Sequence, residues 1–300
     1  MAYTSDEIAD WFKGLQDRIC TEVSATDGGA SFTSETWERP GGGGGDTRVI
    51  QNGKIISKGG VNFSAVHGEL PDNIKAALKV DSNSFFATGV SIVMHPDNPF
   101  VPIIHMNVRY FEMNDDVWWF GGGIDLTPHY VDEEQAAWFH AKLKEACDAH
   151  DMDYHPCFAK WANEYFYIKH RKESRGVSGI FFDRLDEKTE GKSKADLFAF
   201  VQEVGNAFAP IYTHLMRINA ERSFTDLNKA WQMHRRSRYV EFNLVLDKGT
   251  RFGLDTDGRI DSILMSLPPE TGWKYNQEWP ADGEELKTQH ILQTTYLPEV

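Results

Sequence analysis

Residues 101–110 read Val-Pro-Ile-Ile-His-Met-Asn-Val-Arg-Tyr. Strand side chains point to opposite faces with a period of two. As a strand, this segment puts Pro102, Ile104, Met106, Val108 and Tyr110 on one face and Val101, Ile103, His105, Asn107 and Arg109 on the other. The first face is apolar enough to be core. The second turns from apolar to polar along its length, as expected of a strand that runs from a core into a pocket. The stretch therefore constrains the chain to a sheet with one buried face and one chemically equipped face.

Its neighbours extend that sheet. Residues 84–96 read as a preceding strand, joined through His-Pro-Asp-Asn-Pro, whose Pro and Asn suit a tight connection. Residues 117–126 read as a third strand, and 28–68 as short strands joined by glycine turns. The five glycines at 41–45 fit either a linker or a loop approached by a ligand. Helices are expected over 5–25, over 132–150 with Asp132 as cap, over 156–175, and over 193–220 with Ser193 as cap. "GVSGIFFDRL" reads as a further strand, and 235–270 as strands around an Asp-Gly hairpin turn. Strands from both halves favour one α+β domain over residues 1–300.

Composition narrows the function. A net charge of −14 and a pI near 5.2 argue against nucleic acid as the main partner. The three cysteines, Cys20, Cys147 and Cys157, are odd in number and form no Cys-x-x-Cys pair, which fits a reducing compartment without a disulfide framework. No apolar run approaches membrane-span length. The acidic amphipathic N-terminus is neither a secretory signal nor an Arg-rich transit peptide, so a cytoplasmic protein is expected. Aromatic residues make up 13%, enough for a large core and compatible with a flat apolar ligand.

Several side chains carry chemistry. Arg109 can fork onto a carboxylate, Asn107 offers both donor and acceptor, and His105 exchanges protons near neutral pH. Asp125 follows Gly121, Gly122 and Gly123, where backbone can approach a ligand; taken alone it is better explained as a turn or cap residue. Two basic clusters stand out in an acidic chain: Lys169, His170, Arg171 and Arg175, with Arg171 and Arg175 expected one helical turn apart, and Arg235, Arg236 and Arg238. They fit either an anionic small ligand or a solvated face paired with nearby acids. His95, His105, His140 and His170 would make a metal site only if folding gathered them, since no local metal motif is present. Phosphate-loop, dinucleotide and nucleophile-elbow motifs are also missing.

Six long segments, in order, resemble the oxygen-dependent coproporphyrinogen III oxidase family: "WERPGGGGGDTRV", "GGVNFSAVHGELP", "HPDNPFVPIIHMNVRYF", "WWFGGGIDLTPHY", "EYFYIKHRKESRGVSGIFFD" and "RRSRYVEFNLVLDKGTRFGLDTDGRIDSILMSLPP". The resemblance implies a large flat antiparallel sheet with helices packed on both faces, in a homodimer to which approximately residues 235–270 contribute. It implies oxidative decarboxylation of two propionates of coproporphyrinogen III to vinyl groups, giving protoporphyrinogen IX, carbon dioxide and hydrogen peroxide. Dioxygen is the co-substrate, and no organic cofactor is implied. Carried over position by position, His105 matches a proton donor, and Asp125 a carboxylate that draws a proton from a pyrrole nitrogen. Arg109, Arg171 and Arg175 match carboxylate-binding arginines. Ser91, Asn107, Val108, Asp257, Gly258 and Arg259 match substrate contacts. Trp118, Trp119 and Phe120 are expected to exclude water. His95, His105, His140 and His170 match ligands of a divalent metal such as manganese. The rival readings are a non-catalytic binder of anionic tetrapyrroles and a metal-dependent hydrolase.

Overall fold

The computed structural model describes residues 3–69, 84–114, 117–255 and 258–294. Helix α1 (Ser5–Asp27) opens with a capping box between Thr4 and Glu7 and stops at Gly28, whose left-handed φ of 65° suits glycine. Six strands follow: β1 (Thr33–Glu38), β2 (Gly43–Gln51), β3 (Ile56–Glu69), β4 (Ser84–Pro96), β5 (Ile103–Asn114) and β6 (Val117–Thr127). Each pairs antiparallel with the next. Helices α2 (Glu133–Asp148) and α3 (Tyr154–Tyr165) lead into a two-stranded hairpin of β7 (Tyr167–Ile168) and β8 (Glu173–Ser174). Strand β9 (Gly179–Leu185) then adds to β6, completing a seven-stranded sheet in the order β1-β2-β3-β4-β5-β6-β9. A short α4 (Glu187–Glu190), a long α5 (Lys194–Asn219), α6 (Asp226–Glu241), a π-helical turn (Phe242–Leu246), α7 (Lys248–Asp255), α8 (Ile260–Leu264) and α9 (Glu284–Gln293) follow.

Strand alternation sorts the sheet into two faces. Val90, Ile92, Met94, Ile104, Met106, Val108 and Phe120 are buried in one core with Phe12 and Leu15 of α1 and Val204 and Phe208 of α5. On the opposite face, Val93 and Ile103 pack against Tyr239 of α6 and Met265 just past α8. Helices thus lie on both faces of one α+β sheet. The second face is covered only in part: Ser91, His105, Asn107 and Arg109 stay partly accessible.

The caps expected at Asp132 and Ser193 form, each accepting from a backbone N–H in the first turn of its helix. Gly43, Gly44 and Gly45 belong to β2, so the glycine run is a hairpin turn continued into a strand rather than a linker.

Two sequence expectations are corrected. The helix expected over 156–175 ends at Tyr165, and Arg171 and Arg175 do not share a helical face. Lys172 takes a left-handed φ of 55°, which turns the hairpin and sends Glu173 inward to a buried ion pair with Arg235. Over 235–270, where strands are expected, the described residues form no strand and run as helices up to Asp255 and again over Ile260–Leu264. The start signal lies upstream, where Thr225 and Asn228 form a capping box for α6. Continued as a helix, the chain brings Arg235 and Arg238 together onto Glu173.

All three cysteines are free; Cys20 and Cys147 are buried and Cys157 is exposed. Among the described residues, no helix is long and apolar enough to cross a membrane.

Candidate active site

Directly opposed residues of an antiparallel pair share a face. Register therefore builds rows across the open side of the sheet. One row runs Thr47, Asn62, Ser91, Asn107 and Gly123; the next runs Gly45, Ser64, Gly89, Arg109 and Gly121. A third places His105 opposite Asp125. In the second row polar side chains alternate with glycines, so the surface there is a shallow trough floored by backbone.

His105 Nδ1–H donates to Asp125 Oδ1 at 2.8 Å. The other carboxylate oxygen receives the Arg175 guanidinium. The side chain of His105 is 26% exposed and that of Asp125 only 3%, so the imidazole faces the trough and the carboxylate stands behind it. Burial alone would raise the Asp125 pKa, but Arg175 and His105 outweigh it and hold the group below the usual carboxylate range. Asp125 is thus a fixed anion with both oxygens occupied. Its near-complete burial keeps Asp125 from the surface of the trough, which the partly exposed ring of His105 reaches.

Arg175 is buried in an aromatic box, its guanidinium 4.2 Å from the ring centre of Phe166, 4.7 Å from Phe242 and 4.8 Å from Tyr239. Arg171 lies elsewhere, forked onto Glu241 at 2.6 and 2.7 Å. The same carboxylate accepts from His170 at 2.8 Å and from the Trp273 indole at 2.9 Å. Burial works against ionisation of Glu241, but these donors, Arg171 foremost, lower its pKa to about 2. Of the three arginines singled out by resemblance, Arg109 stands in the rows of the open face, Arg175 is buried against Asp125 and Arg171 is taken up by Glu241.

Arg109 donates to Asn107 Oδ1 at 2.7 Å and to Asp183 Oδ1 of β9 at 2.8 Å. Asp183 is a site residue that sequence reasoning passed over. Its signal was present, since alternation in "IFFDRL" puts Phe181 and Asp183 on one face. Ser91 and Asn107 lie side by side in the polar row. The Val108 side chain points into the core, so that position offers only its backbone to a ligand on this face. Gly258 and Arg259 precede α8, whose Ser262 meets Thr47 and Asn62 at the β2–β3 end of the trough. Arg259 pairs there with Glu35 at 2.5 Å. Asp257 lies outside the described residues. Trp118 and Phe120 belong to the core; of the aromatic trio Trp119 alone shares the trough's face, stacked on Phe111 at 4.5 Å.

The four histidines matched to metal ligands do not gather. His95 is buried and donates from Nε2 to the Ser266 carbonyl at 2.8 Å; burial and the nearby Arg236 push its pKa down to about 3. His140 donates to the Val177 carbonyl at 2.9 Å, with burial pushing its pKa down to about 4. His105 and His170 are held by Asp125 and Glu241. Among the described residues, no three His, Cys, Asp or Glu side chains come together as a cation site. These residues, so arranged, do not fit a divalent metal.

One face of the antiparallel sheet thus brings together the Arg109 guanidinium, neutral hydrogen-bonding groups and the His105–Asp125 pair. A family model described as coproporphyrinogen III oxidase matches residues 7–296. The oxygen-dependent coproporphyrinogen-III oxidase of Prochlorococcus marinus is 47% identical over 295 residues, covering 91% of this chain and 84% of that protein. Coproporphyrinogen-III oxidase 1, chloroplastic, of Arabidopsis thaliana is 46% identical over 288 residues, covering 91% of this chain and 73% of that protein. The oxygen-dependent coproporphyrinogen-III oxidase, chloroplastic, of Glycine max is 47% identical over 285 residues, covering 90% and 73%. The chain belongs to the coproporphyrinogen III oxidase family.

Proposed function

We propose that the trough is the porphyrinogen site of an oxygen-dependent coproporphyrinogen III oxidase, and that His105 is its proton-transfer group. The enzyme is an oxidoreductase that decarboxylates two propionates of coproporphyrinogen III to vinyl groups in haem biosynthesis. For each side chain, a propionic acid and dioxygen become a vinyl group, carbon dioxide and hydrogen peroxide. The observation that carries the site assignment is the row of Arg109, Asn107 and His105 on a sheet face that is open where the opposite face is sealed.

In this reading Arg109 receives a propionate through charge-assisted hydrogen bonds. Ser91 and Asn107 supply neutral contacts beside it. Asp125 fixes the His105 ring through Nδ1, which turns Nε2 toward the trough. A proton leaving a pyrrole nitrogen passes to Nε2, and Asp125 stabilises the resulting imidazolium. Asp125 acts through His105 rather than as the base itself, because it is buried with both oxygens occupied and its lowered pKa makes it a weak proton acceptor. Dioxygen is the electron acceptor, and no step is routed through a metal.

We also read the surface of approximately residues 235–270 as a homodimer contact, in line with the exposed apolar side chains of Leu244, Val245 and Ile260. We place the enzyme in the cytoplasm, in line with its free cysteines.

The test is turnover of coproporphyrinogen III by chelator-treated protein with and without dioxygen, following protoporphyrin fluorescence after oxidation and carbon dioxide release. Oxygen-dependent product is expected from wild type, and a large fall in kcat from His105→Ala. Turnover in the absence of dioxygen would refute the oxidase reading; unchanged kcat in His105→Ala would remove His105 from the proton path.

A further inference from the structure

We propose that Asp183 is a positioning residue for substrate binding: across the side-chain-free Gly121, it fixes the Arg109 guanidinium in the orientation that receives a propionate carboxylate. The inference rests on the reading of the trough as the porphyrinogen site.

Arg109 is on β5 and Asp183 on β9, with β6 between them. Two strand spacings separate their backbones, about 10 Å. An arginine crosses that gap only if the middle strand presents nothing in the way. Gly121 is the residue paired with Arg109 on β6. A Cβ at Gly121 would lie 2.5 Å from Asp183 Oδ1, 2.9 Å from Arg109 Nε and 3.0 Å from an Arg109 terminal nitrogen. The ion pair therefore rests directly on the glycine, and an added methyl group would push the two side-chain ends aside from their present geometry.

The pair is open to the trough, with side-chain exposures of 37% for Arg109 and 33% for Asp183. An ion pair this accessible contributes little to stability. Its contribution is geometric. Asn107 holds one terminal nitrogen of Arg109 and Asp183 the other. With both ends of a planar fork held, the plane of the guanidinium is set before a ligand arrives, and its remaining N–H donors stay available. Asp183 carries the same sign of charge as a propionate, so it is not a ligand for that group. Its influence on binding runs through Arg109.

The experiment is steady-state kinetics on coproporphyrinogen III with Asp183→Asn, Asp183→Glu, Gly121→Ala, Arg109→Ala and the double variant Arg109→Ala/Asp183→Asn, with melting temperatures recorded for each. Asp183→Asn is expected to raise KM about tenfold with kcat within about twofold. Asp183→Glu should recover part of the loss. Gly121→Ala should raise KM with every charge still present. In the Arg109→Ala background, Asp183→Asn should add less than about twofold, because its effect has no route left.

Equal KM effects in both backgrounds would show that Asp183 acts independently of Arg109 and would overturn the proposal. So would a raised KM in Arg109→Ala with none in Asp183→Asn, which leaves the reading of the trough intact. A fall in melting temperature that tracks the activity loss and is not relieved by Asp183→Glu would assign a structural role instead. If neither Arg109→Ala nor Asp183→Asn moves KM, the reading of the trough itself fails, and this inference with it.

Discussion

On β5, Met106 and Val108 are sealed at 0% exposure, while the His105 and Arg109 side chains on either side of that pair keep 26% and 37%. One strand thus serves two faces under different rules. On the sealed face each buried apolar side chain stabilises the fold by about 1.5–3 kcal/mol. On the open face the half-exposed ion pair stabilises it by under about 1 kcal/mol. The contrast teaches where to look for function. Side chains that contribute little to folding, yet are held in fixed geometry, are those arranged for a ligand.

Substitutions can break this contrast. The largest stability loss is expected from Phe120→Ala on the sealed face, about 3–5 kcal/mol by denaturant unfolding; a loss below about 1 kcal/mol would mean that the face is not core. Arg175→Met lies at the junction of the faces. It leaves Asp125 buried with one partner fewer, and a stability loss of about 3–5 kcal/mol is expected together with lost turnover. Stability unchanged with turnover lost would move Arg175 to the open-face class.

Arg109→Ala should raise KM about ten- to hundredfold, with a melting temperature within about 4 °C of wild type. A large melting shift would place Arg109 with the core residues. Ser91→Ala, which removes one neutral contact, should change KM by about two- to tenfold.

Acid titration sharpens the comparison from another side. Folded His95 and His140 resist protonation until pH about 3 and about 4, against an ordinary value of 6.5. Unfolded histidine takes up its proton near 6.5, so the stability tied to these two is complete above that pH and is lost on the way down. Glu241 adds a second acid loss: its stabilisation is full above about 4.5 and disappears as pH falls toward about 2. Melting temperatures measured from pH 7 to 3 should therefore decline, and His95→Gln should flatten the upper part of that decline. An unchanged profile would mean that His95 is not buried neutral.

Much of the open face was legible because a period of two is a local signal. The alternation through His105, Asn107 and Arg109 needs no partner to be read, and the caps at Asp132 and Ser193 are equally local. The links between elements were not legible. Arg175 reaches Asp125 only after Lys172 turns the β7–β8 hairpin, and Arg171 meets Glu241 across seventy positions. Residues 235–270 misled because Asp-Gly and the alternating residues around Tyr239 form strand-like patterns, while the decisive cap at Thr225 lies ten residues earlier. Asp183 could be assigned to a face but not to a partner, since Arg109 lies on a strand two places away in the sheet and far away in the chain.

The glycine floor also bears on how such an enzyme can change over generations. At Gly89 an added methyl group would meet the Val108 carbonyl at 2.5 Å, and at Gly123 the Ile180 carbonyl at 2.6 Å. Obstacles made of backbone do not step aside as a side-chain rotamer does. At these two positions the floor therefore has no gradual series of viable variants, and its depth there is inherited as a fixed quantity. Divergence toward a different macrocycle has to begin at the rim, where Arg109, Asp183 and Arg259 can be exchanged one at a time without moving a strand.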